Sequence, residues 1–157
     1  MMVVVIMGSP SDEALARRIG SELDKFEIPW HMRVASAHKV PLRLIEMLAA
    51  YEQDSAPKVY ITVAGRSNAL SGMVDAQVAV PVIACPPYSD KFAGGDVLSS
   101  LRVPSGVAPA LVLEPEGAAL LAAKMLAVAD PVLQERIRAS QEQQRERLLA
   151  ADAALQR

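Results

Sequence analysis

The segment Val3-Val4-Val5-Ile6-Met7 offers no polar residue to either side of a strand, so a strand built from it needs cover on both faces. Three later runs are of the same kind: Lys58 to Ala64 (K-V-Y-I-T-V-A), Val80 to Cys85, and Ala110 to Leu113. Helical spacing fills the gaps between them. Residues 12–26 carry Leu15, Ile19, Leu23 and Phe26 along one face, and Pro41 opens a helix with Leu44, Ile45 and Leu48. A second strand is expected over 30–35, a short helix over 69–78, another around 96–101, and an Ala- and Leu-rich helix over 116–128. Strands that alternate with helices and are apolar throughout predict a parallel sheet between two helical layers.

The fold class read from this pattern is α/β: a three-layer α/β/α sandwich with a parallel, flavodoxin-like sheet and an extra C-terminal helix. A length of 157 residues suits one domain, divided into an α/β core (1–130) and a C-terminal helical arm (131–157). The arm is almost wholly polar over 138–147, and Leu133, Ile137, Leu148, Leu149 and Leu155 keep only sparse helical spacing. Such a helix buries little against its own domain; it is either a solvated end or an arm for another subunit. A Pro-rich loop from Pro86 to Gly95 is long enough to have a function of its own.

Composition closes off several function classes. Apolar residues make up 52% and charged residues 22%, yet no apolar run reaches the roughly 20 residues of a membrane span. The N-terminal apolar stretch has no basic region before it, so neither a signal peptide nor a membrane partner is expected. A formal charge of −2 without a basic stripe argues against nucleic acid. The lone Cys85 excludes an internal disulfide, fits a reducing cytoplasm and reads as a small core residue. Two histidines and one cysteine without ligand spacing make a zinc site unexpected. The seven methionines read as core filler, and Asp75 and Asp96 have no evident partner.

The chemistry-bearing residues gather at strand ends. Gly8-Ser9-Pro10-Ser11-Asp12 follows the first strand and leads into a helix, where unpaired N–H groups, two hydroxyls and the helix dipole favour a phosphate. A plain helix cap would use the same residues. Ser36-Ala37-His38-Lys39 ends the second strand with a titratable base beside a cation, and an imidazole there suits proton transfer near neutral pH. His31, inside the second strand beside Trp30, reads as packed or exposed. Gly65-Arg66-Ser67-Asn68 brings a guanidinium fork to the end of the third strand. Ser99, Ser100, Arg102, Pro104, Ser105 and Gly106 either extend the same cleft or pack at a subunit contact.

In combination these turns resemble the PurE family of purine biosynthesis. The resemblance runs in order through M-G-S-P-S-D (7–12), S-A-H-K (36–39), A-G-R-S-N-A-L-S-G-M (64–73), P-V-I-A-C-P-P (81–87), S-S-L-R-V-P-S-G (99–106) and L-E-P-E-G-A-A-L-L-A-A (113–123). It spans about residues 2–130. The family has two branches: mutases that move a carboxylate within N-carboxyaminoimidazole ribonucleotide, and carboxylases that join aminoimidazole ribonucleotide (AIR) directly to carbon dioxide. Mutases typically show S-A-H-R and G-A-G-G-A-A-H. Lys39 and Arg66-Ser67-Asn68 depart from that pattern and resemble the direct carboxylases, so the mutases' second histidine has no counterpart here.

What the resemblance implies is a direct carboxylase that needs no metal, ATP or biotin, with the mutase as the alternative and a non-catalytic module for a phosphorylated ligand as a remote third reading. His38 would take the ring proton. Gly8, Ser9, Ser11 and Asp12 would hold phosphate and ribose, with Ser36 and Ala37 also binding substrate; Lys39 would neutralise phosphate or the new carboxylate, and Gly65, Arg66 and Ser67 would face the carboxylate or carbon dioxide. The resemblance also implies a cytoplasmic homo-octamer with sites at subunit contacts.

Overall fold

A computed structural model describes residues 1–156. Five strands, β1 (Met2–Met7), β2 (Trp30–Val34), β3 (Lys58–Val63), β4 (Val82–Ala84) and β5 (Ala110–Leu111), pair in parallel in the order β2-β1-β3-β4-β5. The register sets Met7 beside both Val34 and Val63, so three strands finish level at one edge of the sheet. The five α-helices are α1 (Glu13–Asp24), α2 (Pro41–Glu52), α3 (Ala69–Asp75), α4 (Pro115–Ala127) and α5 (Pro131–Leu155).

Alternation along the central strands sorts the core into two halves. Val3, Val5, Val59, Ile61 and Val63 meet α1, α4 and the start of α5; Val4, Ile6 and Tyr60 meet α2 and α3. All five residues from Val3 to Met7 are buried, as the absence of polar positions required. Each buried Ile or Leu on the helices, such as Ile19, Leu23 or Leu44, contributes about 1.5–3 kcal/mol relative to exposure. The helices on the first face are joined by ion pairs: Arg18 to Glu116 at 2.8 Å across α1 and α4, and Arg136 of α5 to Glu27 at 2.6 Å.

Several elements differ from the sequence reading. β4 and β5 are shorter than the apolar runs, because a strand lasts only as long as its neighbour supplies partners. Single ladder bonds do carry on beyond them, from Cys85 N–H to the Thr62 carbonyl (2.8 Å) and from Val112 N–H to the Ala84 carbonyl (3.0 Å). Residues 10–12 form a 3₁₀ turn ahead of α1, and α3 stops at Asp75, whose carboxylate accepts the Ala108 N–H at 2.7 Å. The short helix near 96–101 is the end of a 3₁₀ segment, Lys91–Ser100, broken where Phe92, Ala93 and Gly94 turn left-handed. On α2 the apolar face holds Leu44, Met47 and Leu48, while Ile45 faces outward. Met7 and Met47 are buried and Met2, Met32, Met73 and Met125 pack partly buried against the core, so the core-filler reading fails only for exposed Met1.

α5 is a single helix of 25 residues. Leu133 and Ile137 belong to the core, and Leu148, Leu149 and Leu155 are exposed. No described helix is long and apolar enough to cross a membrane.

Candidate active site

The strand order puts a topological switch point between β1 and β3, where successive connections leave on opposite faces of the sheet. In open α/β sheets a ligand crevice opens there, at the carboxyl ends of the strands. A cleft of about 810 Å³ occupies this place. Its wall includes Gly8, Ser9, Ser11 and Asp12 after β1, Ser36 to Lys39 after β2, and Gly65, Arg66 and Ser67 after β3. The turns that end the first three strands therefore border one cavity.

The first turn is held by its own hydroxyls. Ser9 Oγ caps the 3₁₀ turn by accepting the Ser11 N–H (3.3 Å), and it accepts the Ser11 hydroxyl as well (2.8 Å). The cap reading is thus correct as geometry, and the Ser9 hydroxyl proton is left to point elsewhere. Asp12 closes the turn with its N–H on the Ser9 carbonyl (3.1 Å). Burial pushes its carboxyl above the ordinary value, opposed by hydrogen bonds from Ser11 and the Ser9 backbone.

The second turn forms because Ser36 bonds forward twice. Its hydroxyl accepts the Lys39 N–H (3.3 Å), and its carbonyl accepts the Val40 N–H (2.9 Å). This folds Ala37, His38 and Lys39 over the end of β2, with His38 and Lys39 exposed to the cleft. In the third turn Arg66 is left-handed at φ +57°. Gly65 before it stands so near Pro87 that a Cβ would come within 3.1 Å of the proline Cγ. Among the described residues Lys39, Arg66 and Lys91, the three cations that line this cleft, are in no ion pair.

The sequence marked the Pro86–Gly95 loop as functional without assigning its residues to the wall. Pro87, Tyr88, Ser89, Asp90 and Lys91, from the Pro-rich loop, complete the wall together with Asp96. Tyr88 is 95% exposed, and Phe92 beyond it 90%. The loop's length was the one available signal for these residues. Ser99 and Ser100 do approach the cleft, bonded to the Arg66 turn, whereas Arg102, Pro104, Ser105 and Gly106 do not line it. Cys85 is fully buried, its thiol pushed up to about 12 by desolvation, and takes no part in the wall. Among the described residues no group of three His, Cys, Asp or Glu is placed to hold a metal ion. A shallower hollow of about 410 Å³ lies over β2 and α2, but its cations are engaged. Arg33 sits 5.9 Å over the Tyr51 ring, Arg43 pairs with Glu46, and His31 Nδ1 meets the Tyr51 hydroxyl at 3.1 Å.

The family model for AIR carboxylase matches residues 2–147. The chain belongs to the AIR carboxylase family. A relative in Archaeoglobus fulgidus, named phosphoribosylaminoimidazole carboxylase, is 52% identical over 155 residues, covering 99% of this chain and 85% of its own length. A Treponema denticola protein of the same name is 48% identical over 156 residues, covering 99% of this chain and 98% of its own. The crystal structure of Treponema denticola PurE superimposes with a TM-score of 0.98 over 99% of both chains. The three-layer fold is therefore that of this AIR carboxylase family.

Proposed function

We propose that the protein is a direct phosphoribosylaminoimidazole carboxylase, joining AIR and carbon dioxide to give 4-carboxy-AIR. The observation that carries the reading is the meeting of His38, Lys39 and Arg66 with the Ser9–Asp12 turn in one cleft at the sheet's switch point. The carboxylase names of the relatives support the same branch.

The reaction needs little beyond placement and one proton transfer. The amino group feeds electrons into the imidazole ring, and carbon four attacks carbon dioxide. A carbon–carbon bond forms as one C=O π bond becomes a carboxylate oxygen. Carbon four then carries both the carboxylate and its original hydrogen. His38 removes that hydrogen as a proton, the electron pair returns to the ring, and aromaticity is restored. In the reverse direction His38 returns the proton and carbon dioxide leaves. Two of the cleft's three unpaired cations are given to the two anions of this chemistry: Lys39 serves phosphate or the new carboxylate, and Arg66 with Ser67 serves the carboxylate. Ser9 and Ser11 take phosphate, while Asp12, partly buried and negative, is better placed on ribose hydroxyls than beside another anion. Gly8, Ser36, Ala37 and Gly65 supply backbone and close approach. Fixing a small gas over the ring carbon accounts for much of the acceleration, because orientation replaces a chance encounter. The Pro86–Gly95 rim is proposed as a lid that excludes water. No metal, ATP or biotin enters this scheme.

The same reading takes residues 1–157 as one carboxylase unit, a core of 1–130 with an arm of 131–157, acting in the cytoplasm as a homo-octamer. Exposed Leu148, Leu149 and Leu155 on the outer part of a helix that is buried in its own subunit only at Leu133 and Ile137 favour an arm laid on a neighbour.

The test is ultraviolet-monitored turnover with AIR and bicarbonate, without ATP, and separately with N-carboxy-AIR. Carboxylation that scales with dissolved carbon dioxide, with N-carboxy-AIR consumed no faster than it decomposes, is the expected result. Fast conversion of N-carboxy-AIR with little response to carbon dioxide would make the protein a mutase.

A further inference from the structure

Arg66 is a non-glycine residue in the left-handed region, a conformation that costs about 1–2 kcal/mol for a residue with a Cβ. Glycine would occupy it freely, yet an arginine stands there, in the wall of the cleft. Strain of this kind persists only where surrounding contacts hold it.

The contacts come from a segment 33 residues further along the chain. The Ser99 hydroxyl donates to the Arg66 carbonyl at 2.9 Å or to the Asp96 carbonyl at 2.8 Å, and it accepts the Asn68 N–H at 3.0 Å. A hydroxyl has one proton, so the two carbonyls compete for it while the bond from Asn68 stays. Asn68, itself buried, anchors the arrangement from below. Its amide donates to Ser100 Oγ at 2.9 Å, and its side-chain oxygen caps α3 by accepting the Ser71 N–H at 3.2 Å. The turn that carries Arg66 is thus held between the rigid start of α3 and the end of the rim segment.

We propose that Ser99 is a positioning residue for Arg66: its hydroxyl holds the arginine's strained backbone so that the guanidinium stands in the cleft. This rests on the proposed role of Arg66 at the carboxylate or carbon dioxide. Ser99 itself touches no reacting atom, since it acts through the Arg66 carbonyl.

The experiment is a double-mutant cycle between Ser99→Ala and Arg66→Ala, read as steady-state carboxylation with AIR and carbon dioxide varied in turn. In the wild-type background Ser99→Ala should cost about tenfold in kcat/KM for carbon dioxide, the loss of one net hydrogen bond. The KM for AIR should change far less, and Ser99→Thr, which keeps the hydroxyl, should restore most of the rate. In the Arg66→Ala background Ser99→Ala should cost nothing further. An equal loss in both backgrounds would overturn the proposal, as would an Arg66→Ala variant with full activity. A wild-type enzyme without carboxylase activity would instead defeat the functional reading beneath it.

Should Ser99→Ala fail to fold alone, the same idea is tested through Arg66→Gly. Glycine removes the strain, so Ser99→Ala combined with Arg66→Gly should fold with a normal thermal transition. A double variant that still fails to fold would show that Ser99 serves the fold in another way, and the proposal would fall.

Discussion

Gly20 lies on α1 where the indole of Trp30 crosses the helix, and replacing it by alanine tests the packing argument directly. A Cβ at this position would stand 2.2 Å from Trp30 Cζ2, 2.4 Å from Cη2 and 2.5 Å from Cε2. Carbon atoms rest about 3.5–4.0 Å apart, so the ring must retreat by more than an ångström. Its Nε1–H donates to Asp24 Oδ1 at 2.9 Å, and that bond, with a net contribution of about 1 kcal/mol, is lost as the ring swings out. Overpacking of this kind costs about 1–3 kcal/mol. Alanine's better helix propensity returns about 1 kcal/mol. The net expectation is a loss of about 1–3 kcal/mol, or a Tm lower by roughly 3–10 °C for a chain of this size. Trp30 is the only tryptophan, so its fluorescence reports the displaced ring itself. Thermal unfolding followed by emission should show a lower Tm together with a red-shifted native spectrum. Carboxylation should be preserved, because Trp30 opens β2 and the cleft lies beyond its other end. A variant as stable as wild type, with unchanged emission, would refute the reasoning.

Other perturbations have equally definite outcomes. His38→Asn should retain AIR binding by calorimetry and lose at least about 10² in turnover; undiminished turnover would remove His38 from the mechanism. Asp12→Asn should raise Tm at neutral pH, since a carboxyl whose folded value lies above its ordinary 3.8 is costly once ionised. That gain should shrink as pH falls through the folded value and vanish below 3.8, where folded and unfolded chains are both protonated; an unchanged or lower Tm at pH 7 would contradict it. Truncation after Arg138 leaves the core residues Leu133 and Ile137 in place and should lower both assembly mass and activity. An unchanged light-scattering mass would remove the arm from the interface. Cys85, buried and with its thiol near 12, should resist a disulfide reagent at neutral pH until the protein unfolds, and prompt labelling of the native enzyme would show the site to be open.

Local pattern was enough to show that this chain builds a parallel sheet with its polar turns at the strand ends. Val3 to Met7 has no face that water could cover, and the hydroxyls, His38, Lys39 and Arg66 all follow directly on apolar runs. Chain direction then places them at one edge, because parallel strands all finish on the same side. Contacts between segments distant in the chain follow no such rule. The order β2-β1-β3-β4-β5, the choice of Met47 over Ile45 for the core, and the Trp30 ring over Gly20 depend on which surfaces meet. So do the rim from Pro87 to Lys91 and the Ser99 hydroxyl beneath Arg66. Apolar periodicity and turn chemistry are properties of neighbouring residues and are legible in order. A hydroxyl's choice between two carbonyls, or a guanidinium's place in a cleft, is decided only when segments 33 residues apart are packed together.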